Sequence, residues 1–411
     1  MAEAVPLLVV GIDHHRTPLT LRERIALDDS DRAGVEAALA RLPGCHGAIV
    51  LATCNRLECW CAGTPDPVAV AGAVAVRRGL DPGQVSAWIY AHAGAEAVRH
   101  LLRVACGLES AVVGEAQIQG QVRDAYERAR TAHPSLPGVL HQAFQRAIAG
   151  GKQVRTRTAL GRVRVSTASV AVDLARQVIG DLAGAGLLVV GAGEIAEELL
   201  AVLRTAGVAR ISVVNRTRER ADALAKAHAA TAHDWQHLDR LLGEHDVIVC
   251  STASPLPVIR AGAVRAAMRR RRRSLVLIDL AVPRDVDAEA GAIDDVYLYT
   301  IDHLGTVAAA NRQIDDAELA QAAGLCDQLA AEATAALVPG RQTAPAAVAA
   351  WFAALEEAEW DRLRRDLPEA HHAAARAALH RLAAKLQHRV QERLRKGDGR
   401  GEEEVGELLG L

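Results

Sequence analysis

A cysteine just beyond an apolar run and two residues before an arginine is the first place in this sequence where covalent chemistry is available. In VLATCNRLE the cysteine is Cys54 and the arginine Arg56. A free thiol has a pKa near 8.5, so only about a tenth is thiolate near neutral pH, and an adjacent guanidinium would raise that share. A cysteine at a strand end is also an ordinary structural residue, and Cys54 alone leaves both readings open. A second stretch offers a redox partner. In LLVVGAGEIAEELL, Gly191, Gly193 and Ala196 form GxGxxA between a strand and a helix. Such glycines permit a tight turn and bring a pyrophosphate close to the helix N-terminus. The next strand ends in Asn215, Arg216 and Thr217 rather than in the acid that usually holds the ribose of NAD. A guanidinium there favours a 2′-phosphate and hence NADPH, unless Arg216 is only a surface cation. A thioester on Cys54 followed by hydride delivery is a rational route from an acyl group to an aldehyde.

A third stretch, HLLRVACGLESAVVGEAQIQGQV, gathers His100, Ser110, Glu115, Gln117 and Gln121 around two glycines, Gly107 and Gly114. A polar cluster at a helix break often faces a ligand, although capping and solvation explain Ser110 and Glu115 equally well. His100 alone reads as a core histidine as readily as an acid or base. Cys54, Cys59 and Cys61 with His14 and His15 suggest zinc only weakly, because paired CxxC knuckles and an HExxH helix are both missing.

The elements that must position these groups follow from periodicity. Short buried strands are expected at Leu7–Val10 and Ala48–Leu51 with an amphipathic helix near 31–41 between them, an α+β start. Helical stretches fill 95–157, broken at Pro134–Gly138, and another helix covers 166–179. Strands at Leu187–Val190, Ile211–Val214, Val247–Cys250 and Leu275–Ile278 alternate with helices, which predicts a doubly wound parallel sheet. Beyond Asp302 no strand is expected. A helix over 302–337 would be roughly 50 Å long, too long to bury itself. Pro339 and Pro345 then mark a break before helices over 346–364 and 369–395, and a frayed Gly- and Glu-rich tail covers 397–411.

A chain of 411 residues exceeds one core, so two or three domains are expected. Aromatic residues make up only 3%, which argues against a base-stacking surface, and the net charge of −2 predicts no global attraction to nucleic acid. Between Glu115 and Val165, however, nine basic residues face three acidic ones, a local +6 that suits either RNA or plain solvent. The run Arg269–Arg273 is expected to be a solvated helix end. Seven scattered cysteines do not form a disulfide framework, and neither signal peptide nor membrane span is evident, so a reducing cytosol fits.

Taken together these stretches closely resemble the glutamyl-tRNA reductase family, whose members begin tetrapyrrole synthesis by the five-carbon route. The resemblance runs in order through GIDHHRTPLTLRER, ATCNRLE, HLLRVACGLESAVVGEAQIQGQV, KQVRTRT, GAGEIA, VVNRT, STASPLPVI, LIDLAVPRDVD and VYLYTIDHL. It implies NADPH-dependent reduction of glutamyl-tRNA to glutamate-1-semialdehyde through a Cys54 thioester. It makes Thr53, Asn55 and Arg56 the surroundings of the glutamyl group, with Ser110, Glu115, Ala116, Gln117 and Gln121 as further substrate contacts. His100 matches a histidine that the family needs for activity. The cofactor contacts become Gly191, Ala192, Gly193, Glu194, Ile195 and Ala196, together with Asn215, Arg216 and Thr217. No metal is demanded. The family's fold implies a multidomain α/β chain: an α+β catalytic domain over 1–160, a Rossmann-like parallel-sheet domain over 161–302, and an all-helical dimerisation domain over 303–411 led by a long spinal helix. A homodimer follows, and an aminomutase that takes the aldehyde is a further expected partner. Asp13, His15, Arg16 and Gln119 depart from the family's usual residues and put substrate affinity in question. Nucleophile and hydride donor lie in different domains, so closure about hinges near 161–166 and 302–305 is expected. The rival readings are a small-molecule dehydrogenase resembling shikimate dehydrogenase, and a non-catalytic nucleotide or tRNA-binding regulator.

Overall fold

A computed structural model describes residues 5–133, 135–161, 166–310, 315–338, 344–368 and 371–396. The joint expected at 161–166, the middle of the 302–337 helix, the Pro339 break and the 397–411 tail fall wholly or partly outside them.

The N-terminal sheet contains β1 (Leu7–Asp13), β2 (Cys45–Ala52), β3 (Arg56–Gly63) and β4 (Tyr90–Ala93), in the order β2-β3-β1-β4 with every pairing antiparallel. Successive side chains of a strand face opposite ways, so β3 serves two environments. Leu57, Cys59 and Cys61 join an apolar core with Val35 and Leu39 of the helix Asp29–Leu39 and with Val70 and Val74 of the helix Pro67–Arg77. Arg56, Glu58 and Trp60 take the other face, where Trp60 meets Phe144 edge-on at 5.8 Å. The strand β3 was not expected, because charged residues alternating with cysteines do not look like a strand buried on both faces. Asp28 caps the helix Asp29–Leu39 by accepting from the Asp31 amide, which starts that helix two residues before the expected position.

The second sheet contains β5 (Gly186–Val190), β6 (Arg210–Val214), β7 (Thr231–His233), β8 (Val247–Cys250), β9 (Leu275–Asp279) and β10 (Val296–Thr300). Its order is β10-β9-β8-β5-β6-β7 and all its pairings are parallel. The expected four strands are its centre. The edge strands β7 and β10 were not anticipated. From β5 the chain runs outward to β6 and β7 and then crosses back to β8 on the other side of β5, which makes the carboxyl ends of β5 and β8 the switch point where ligands of such sheets bind.

Both sheets lie within one compact unit, Pro6–Ala331. Helices Ile301–Ala310 and Asp316–Leu337 follow the second sheet. The helices Ala344–Asp366 and His372–Lys396 pack on one another through Trp360 against His372 and through Arg376 with Glu357.

The arginine run is not uniformly solvated. Arg269, Arg270 and Arg272 are exposed, but the Arg271 side chain is only 5% exposed. It donates to the carbonyls of Leu242, His245 and Ser274 and to Asp246 at 3.2 Å, tying off the amino-terminal edge of the parallel sheet. Those carbonyls end their chain segments without a ladder partner, and one planar guanidinium satisfies several at once. Arg271→Ala should therefore destabilise the chain by about 3 kcal/mol, as expected when one partner of a buried ion pair is removed, whereas alanine at Arg269 or Arg272 should change stability by less than about 0.5 kcal/mol. Urea melts of the three variants would separate these outcomes.

Candidate active site

Cys54 occupies the tip of the β2–β3 hairpin. The Thr53 amide donates to the Arg56 carbonyl at 2.9 Å, and the Thr53 hydroxyl accepts from the amides of Asn55 and Arg56, both at 3.2 Å. Threonine thus caps a tight turn that holds the thiol clear of the sheet. Cys54 faces a cavity of about 170 Å³ that also exposes Arg22, Arg32 and Arg56, with Ile25, Leu27 and, from the parallel-sheet domain, Val282 among its apolar walls. Arg22 is buried; it donates to the Cys54 carbonyl at 2.8 Å and pairs with Asp302. The Cys54 residue is partly open to the cavity, yet protein surrounds its sulfur on most sides. Burial first, and then the Glu115 carboxylate, push the thiol up to about 12, with Arg22 pulling the other way.

The expected role of Arg56 as the cation beside the thiol needs correction. Arg56 is 2% exposed and spends its charge on Glu58 at 2.6 Å and on the Glu109 carbonyl. Glu58 is fully buried and also accepts from Tyr90 Oη at 2.7 Å, His100 Nε2 at 2.9 Å and Trp60 Nε1 at 3.0 Å. Burial alone would raise the Glu58 pKa; Arg56, His100 and Tyr90 outweigh it and hold this carboxyl far below the usual carboxylate range. An ionised Glu58 can only accept, so His100 carries its proton on Nε2. His100 lines a different cavity, of about 200 Å³, together with Arg16 and His92. Its hydrogen bond to Glu58, which also holds Arg56, ties it to the base of the Cys54 hairpin. Sequence reasoning missed Glu58, although a residue two positions beyond Arg56 on a strand must share its face.

Among the described residues, five buried side-chain polar atoms lack a hydrogen-bond partner. Four of them, His14 Nδ1, Thr17 Oγ1, Arg32 Nε and Asn55 Oδ1, belong to residues on or next to the Cys54 hairpin and the segments that flank it. Unpaired buried groups are costly, and they gather where a ligand is to be bound. Burial, followed by the charges of His15 and Arg56, lowers the His14 pKa to about 4, so His14 is neutral near pH 7. Thr17 and Arg32 were not singled out from the sequence, because nothing in the spacing of residues so far from Cys54 places them beside it.

The loop between Gly107 and Gly114 turns back on itself, with both glycines at positive φ, near 82° and 86°. Ser110 and Glu115 are buried there. Glu115 accepts from Thr167 Oγ1 at 3.0 Å, and burial first, then the charge of Glu198, raise its pKa to about 7. Gln117 donates to Glu198 at 2.6 Å, while Ala116 and Gln117 line a cavity of about 1140 Å³ shared with Glu194 and Glu197. Gln121 is half-buried on the helix Gln117–Ala132. The basic segment is partly structural as well. Arg155 donates to the Gly114 carbonyl at 2.6 Å, and Arg128 to Glu36 and the Val50 carbonyl, which leaves Arg123, Arg146, Lys152 and Arg157 exposed.

At the switch point Gly191 has φ near 117°, and a Cβ there would lie 2.8 Å from the Ser251 carbonyl oxygen. Gly193 faces open space and caps the helix Glu194–Thr205, within which Ala196 is fully buried. Ser251 Oγ is the fifth unpartnered buried atom. An unpaired hydroxyl and a glycine-lined approach to a helix N-terminus fit the diphosphate of a dinucleotide. Asn215 folds its amide back onto the Thr217 carbonyl at 3.0 Å, and the exposed Arg216 lies over the Trp235 ring, 5.7 Å from its centre.

Comparison with known proteins decides what this arrangement belongs to. The family described as glutamyl-tRNAGlu reductase, N-terminal domain, matches residues 10–158, and the one described as shikimate / quinate 5-dehydrogenase matches residues 173–307. A glutamyl-tRNA reductase of Chromohalobacter salexigens is 40% identical over 323 residues, covering 78% of this chain and 76% of that protein. The chain belongs to the glutamyl-tRNA reductase family. Another member, from Marinobacter nauticus, is 35% identical and covers 98% of this chain and 95% of its own. The solved glutamyl-tRNA reductase of Methanopyrus kandleri is 32% identical over 99% of both chains, with a TM-score of 0.45. The parallel-sheet domain is of the NAD(P)-binding, dehydrogenase type, and the match over 10–158 removes the reason to read the whole chain as a small-molecule dehydrogenase. No helix among the described residues is long and apolar enough to cross a membrane.

The electrostatics of the thiol can be checked directly. Glu115 is charged above its pKa near 7 and opposes thiolate formation, so Glu115→Gln should lower the Cys54 pKa. Alkylation of Cys54 by iodoacetamide at pH 8 should accelerate about tenfold in that variant. An unchanged pH–rate curve would show that Glu115 does not act on the thiol.

Proposed function

We propose that this chain is the NADPH-dependent glutamyl-tRNA reductase that releases glutamate-1-semialdehyde, with Cys54 as its nucleophile. The observation that carries this reading is a thiol on a rigid hairpin tip, facing an arginine-lined cavity, in a chain of this family. Cys54 Sγ attacks the ester carbonyl, the new C–S bond replaces the ester C–O bond, and the thiol proton leaves on the tRNA 3′-hydroxyl. The Gly191 loop would hold NADPH, which would supply the hydride needed to take the thioester carbonyl to the aldehyde level. Loss of Cys54 Sγ from the reduced carbon then frees product and enzyme.

The chain's own residues account for when the thiol reacts. Without substrate, burial and then the Glu115 carboxylate keep Cys54 protonated. The α-ammonium of a glutamyl group placed against Glu115 cancels that field, leaving Arg22 as the dominant charge on the sulfur. Thr53 and Asn55 frame the nucleophile; Ser110, Ala116, Gln117 and Gln121 are further substrate contacts by the family resemblance, although Ala116 and Gln117 line a different cavity from that of Cys54. His100 and Arg56 act through Glu58, which fixes the base of the hairpin. For the cofactor, the stretch Gly191 to Ala196 would cradle the diphosphate, and Asn215, Arg216 and Thr217 would hold the adenosine 2′-phosphate.

Further features support the expected partners. Exposed Arg123, Arg146, Lys152 and Arg157 suit an RNA backbone. Exposed Leu382 and Leu386, one helical turn apart on His372–Lys396, suit the dimer contact of a homodimer. Unbridged cysteines suit a reducing cytoplasm, and the reactivity of the aldehyde suits direct transfer to an aminomutase.

The test is a trapped acyl-enzyme. Incubated with labelled glutamyl-tRNA without NADPH, the protein should carry one hydroxylamine-labile label on the Cys54 peptide, and Cys54→Ser should lose reductase activity by about 1,000-fold or more while still binding NADPH. Near-normal turnover by the serine variant would overturn the thioester route. Arg216→Ala should weaken NADPH by about 1.5 to 3 kcal/mol and leave NADH nearly unaffected. Equal losses for both nucleotides, measured by fluorescence titration, would assign Arg216 to the fold instead.

A further inference from the structure

Two thiols away from the hairpin tip lie against each other although they are far apart in sequence. Cys106 Sγ donates to Cys326 Sγ at 3.9 Å, and both residues are fully buried. Cys106 is the last residue of the helix Ala95–Cys106, and Cys326 lies in the middle of the helix Asp316–Leu337. Neither takes part in the chemistry at Cys54. The helix that ends in Cys106 also carries Arg99 and Arg103, one and two turns earlier on the same face. Arg99 holds Asp327 by two bonds, at 2.9 and 3.2 Å, and Arg103 approaches the same carboxylate at 4.0 Å. A third helix, Gly138–Arg157, backs this contact through two glycines: a Cβ at Gly151 would lie 2.8 Å from the Ala105 carbonyl oxygen, and one at Gly150 3.1 Å from Leu102 Cδ2 and 3.7 Å from Leu329 Cδ1. Helix packing thus brings the two sulfurs together and holds them there.

The surroundings make one sulfur of the pair the reactive one. The hydrogen bond from Cys106 lowers the Cys326 pKa, and Arg103 and Arg99 act in the same sense against burial and Asp327. Giving that hydrogen bond raises Cys106. Access lies at the rim, where the Arg99 and Asp327 side chains are 44% and 40% exposed, and an ion pair so open to water parts at little cost. A small neutral oxidant passes such a rim, whereas the burial of both sulfurs shuts out a bulky disulfide reagent.

We propose that Cys106 and Cys326 are an oxidative modification site, at which hydrogen peroxide joins the helix Ala95–Cys106 to the helix Asp316–Leu337 by an intrachain disulfide. The Cys326 thiolate attacks one peroxide oxygen, the O–O bond breaks, and the departing hydroxide takes up a proton, leaving a sulfenic acid on Cys326. Cys106 then loses its proton, and its sulfur displaces hydroxide from the Cys326 sulfur. Two thiols and one peroxide give one disulfide and two waters. The bond needs the sulfurs to close from 3.9 Å to about 2.05 Å, and Gly107, at positive φ directly after Cys106, is where the chain yields. The same glycine opens the loop that carries Ser110 and Glu115, so closing the bond pulls on the base of that loop.

Peptide mapping of the intact chain tests the site. After brief treatment with hydrogen peroxide, alkylation of the remaining thiols in denaturant and digestion without reductant, the Cys106 and Cys326 peptides should appear as one linked species that dithiothreitol separates. In Cys106→Ala the reaction should stop at the sulfenic acid, which dimedone traps on Cys326. Turnover should fall about tenfold in the linked enzyme and recover with dithiothreitol. It should stay at its untreated value in peroxide-treated Cys326→Ala, because the raised pKa of Cys54 spares that thiol. The turnover readout rests on the proposed reductase activity, and the linked peptide does not. No linked peptide, or a link between Cys45 and Cys61 in the core of the first sheet instead, would overturn the site. A linked enzyme with full turnover would overturn the effect on the loop. A chain that reduces no glutamyl-tRNA even before treatment would overturn the activity reading, and the peptide map would still decide the site.

Discussion

One ionised carboxylate with no access to water governs the catalytic half of this chain. Glu58 sits on β3, one of the two strands flanked on both sides in its sheet, and both its carboxylate oxygens are satisfied by protein: Arg56, Tyr90, His100 and Trp60. Taking a charge out of water costs several kcal/mol unless partners replace the lost solvation, so these four side chains must be in place whenever the domain is folded. The requirement reaches outward through each of them. Tyr90 fixes β4, His100 fixes the helix Ala95–Cys106, and Trp60 seats the helix Gly138–Arg157 through Phe144. Arg56 begins the strand at the hairpin turn, so the same carboxylate sets the position of Cys54.

The hairpin explains rigidity and leaves reactivity to other groups. With Arg56 paired to Glu58, the charges that remain around the thiol are the positive Arg22 and the negative Glu115 and Asp302; Arg22 and Glu115 are buried, whereas the Asp302 side chain is 38% exposed. Burial makes the first two count for more than they would in water. A resting thiol held up to about 12 is protected from oxidation and from stray electrophiles, because only the thiolate reacts quickly. Its protection comes first from burial, and the part that comes from Glu115 is conditional, since a cationic group beside that carboxylate would compensate it.

Much of this was legible in the sequence. Apolar runs marked β1, β2 and the four central strands of the parallel sheet, and GxGxxA marked the cofactor turn. Where the reading failed, the cause was tertiary. In β3, Arg56 and Glu58 look like a solvated edge because a sequence does not reveal that two charges neutralise each other inside a core. The three-residue edge strand β7 lacks the apolar length that marks a buried strand, and β10, although five residues long, is only partly buried. Cys54 was found by its neighbours in sequence, but the cation beside its carbonyl is Arg22, thirty-two positions earlier, and the cation with a free donor is Arg32. Arg155 and Arg271 were read as members of charged surface runs. Each is instead bound to backbone carbonyls that a loop or a sheet edge leaves unpaired, a use of arginine that composition cannot distinguish from solvation.

The Cys54 hairpin and the nucleotide-binding domain are joined by consecutive residues of one short helix, Leu19–Ile25. Arg22 links the Cys54 carbonyl to Asp302, and Glu23 accepts from the Arg284 amide at 2.9 Å and from its guanidinium at 2.6 and 2.8 Å. Arg284 lies two residues beyond Val282, which walls the Cys54 cavity. Any motion that draws the parallel sheet away from the hairpin must break both pairs and remove that wall together. It also leaves the Arg22 charge without Asp302 while its bond to Cys54 stays within the N-terminal domain. In the separated arrangement the sulfur is therefore next to a less neutralised cation, which favours the thiolate that acylation needs. In the joined arrangement Asp302 restores the balance, and on the proposed route a Cys54 that carries an acyl group would have no charge left for Asp302 to oppose. The same pair of adjacent residues thus makes the nucleophile's electrostatics depend on the position of the hydride-supplying domain.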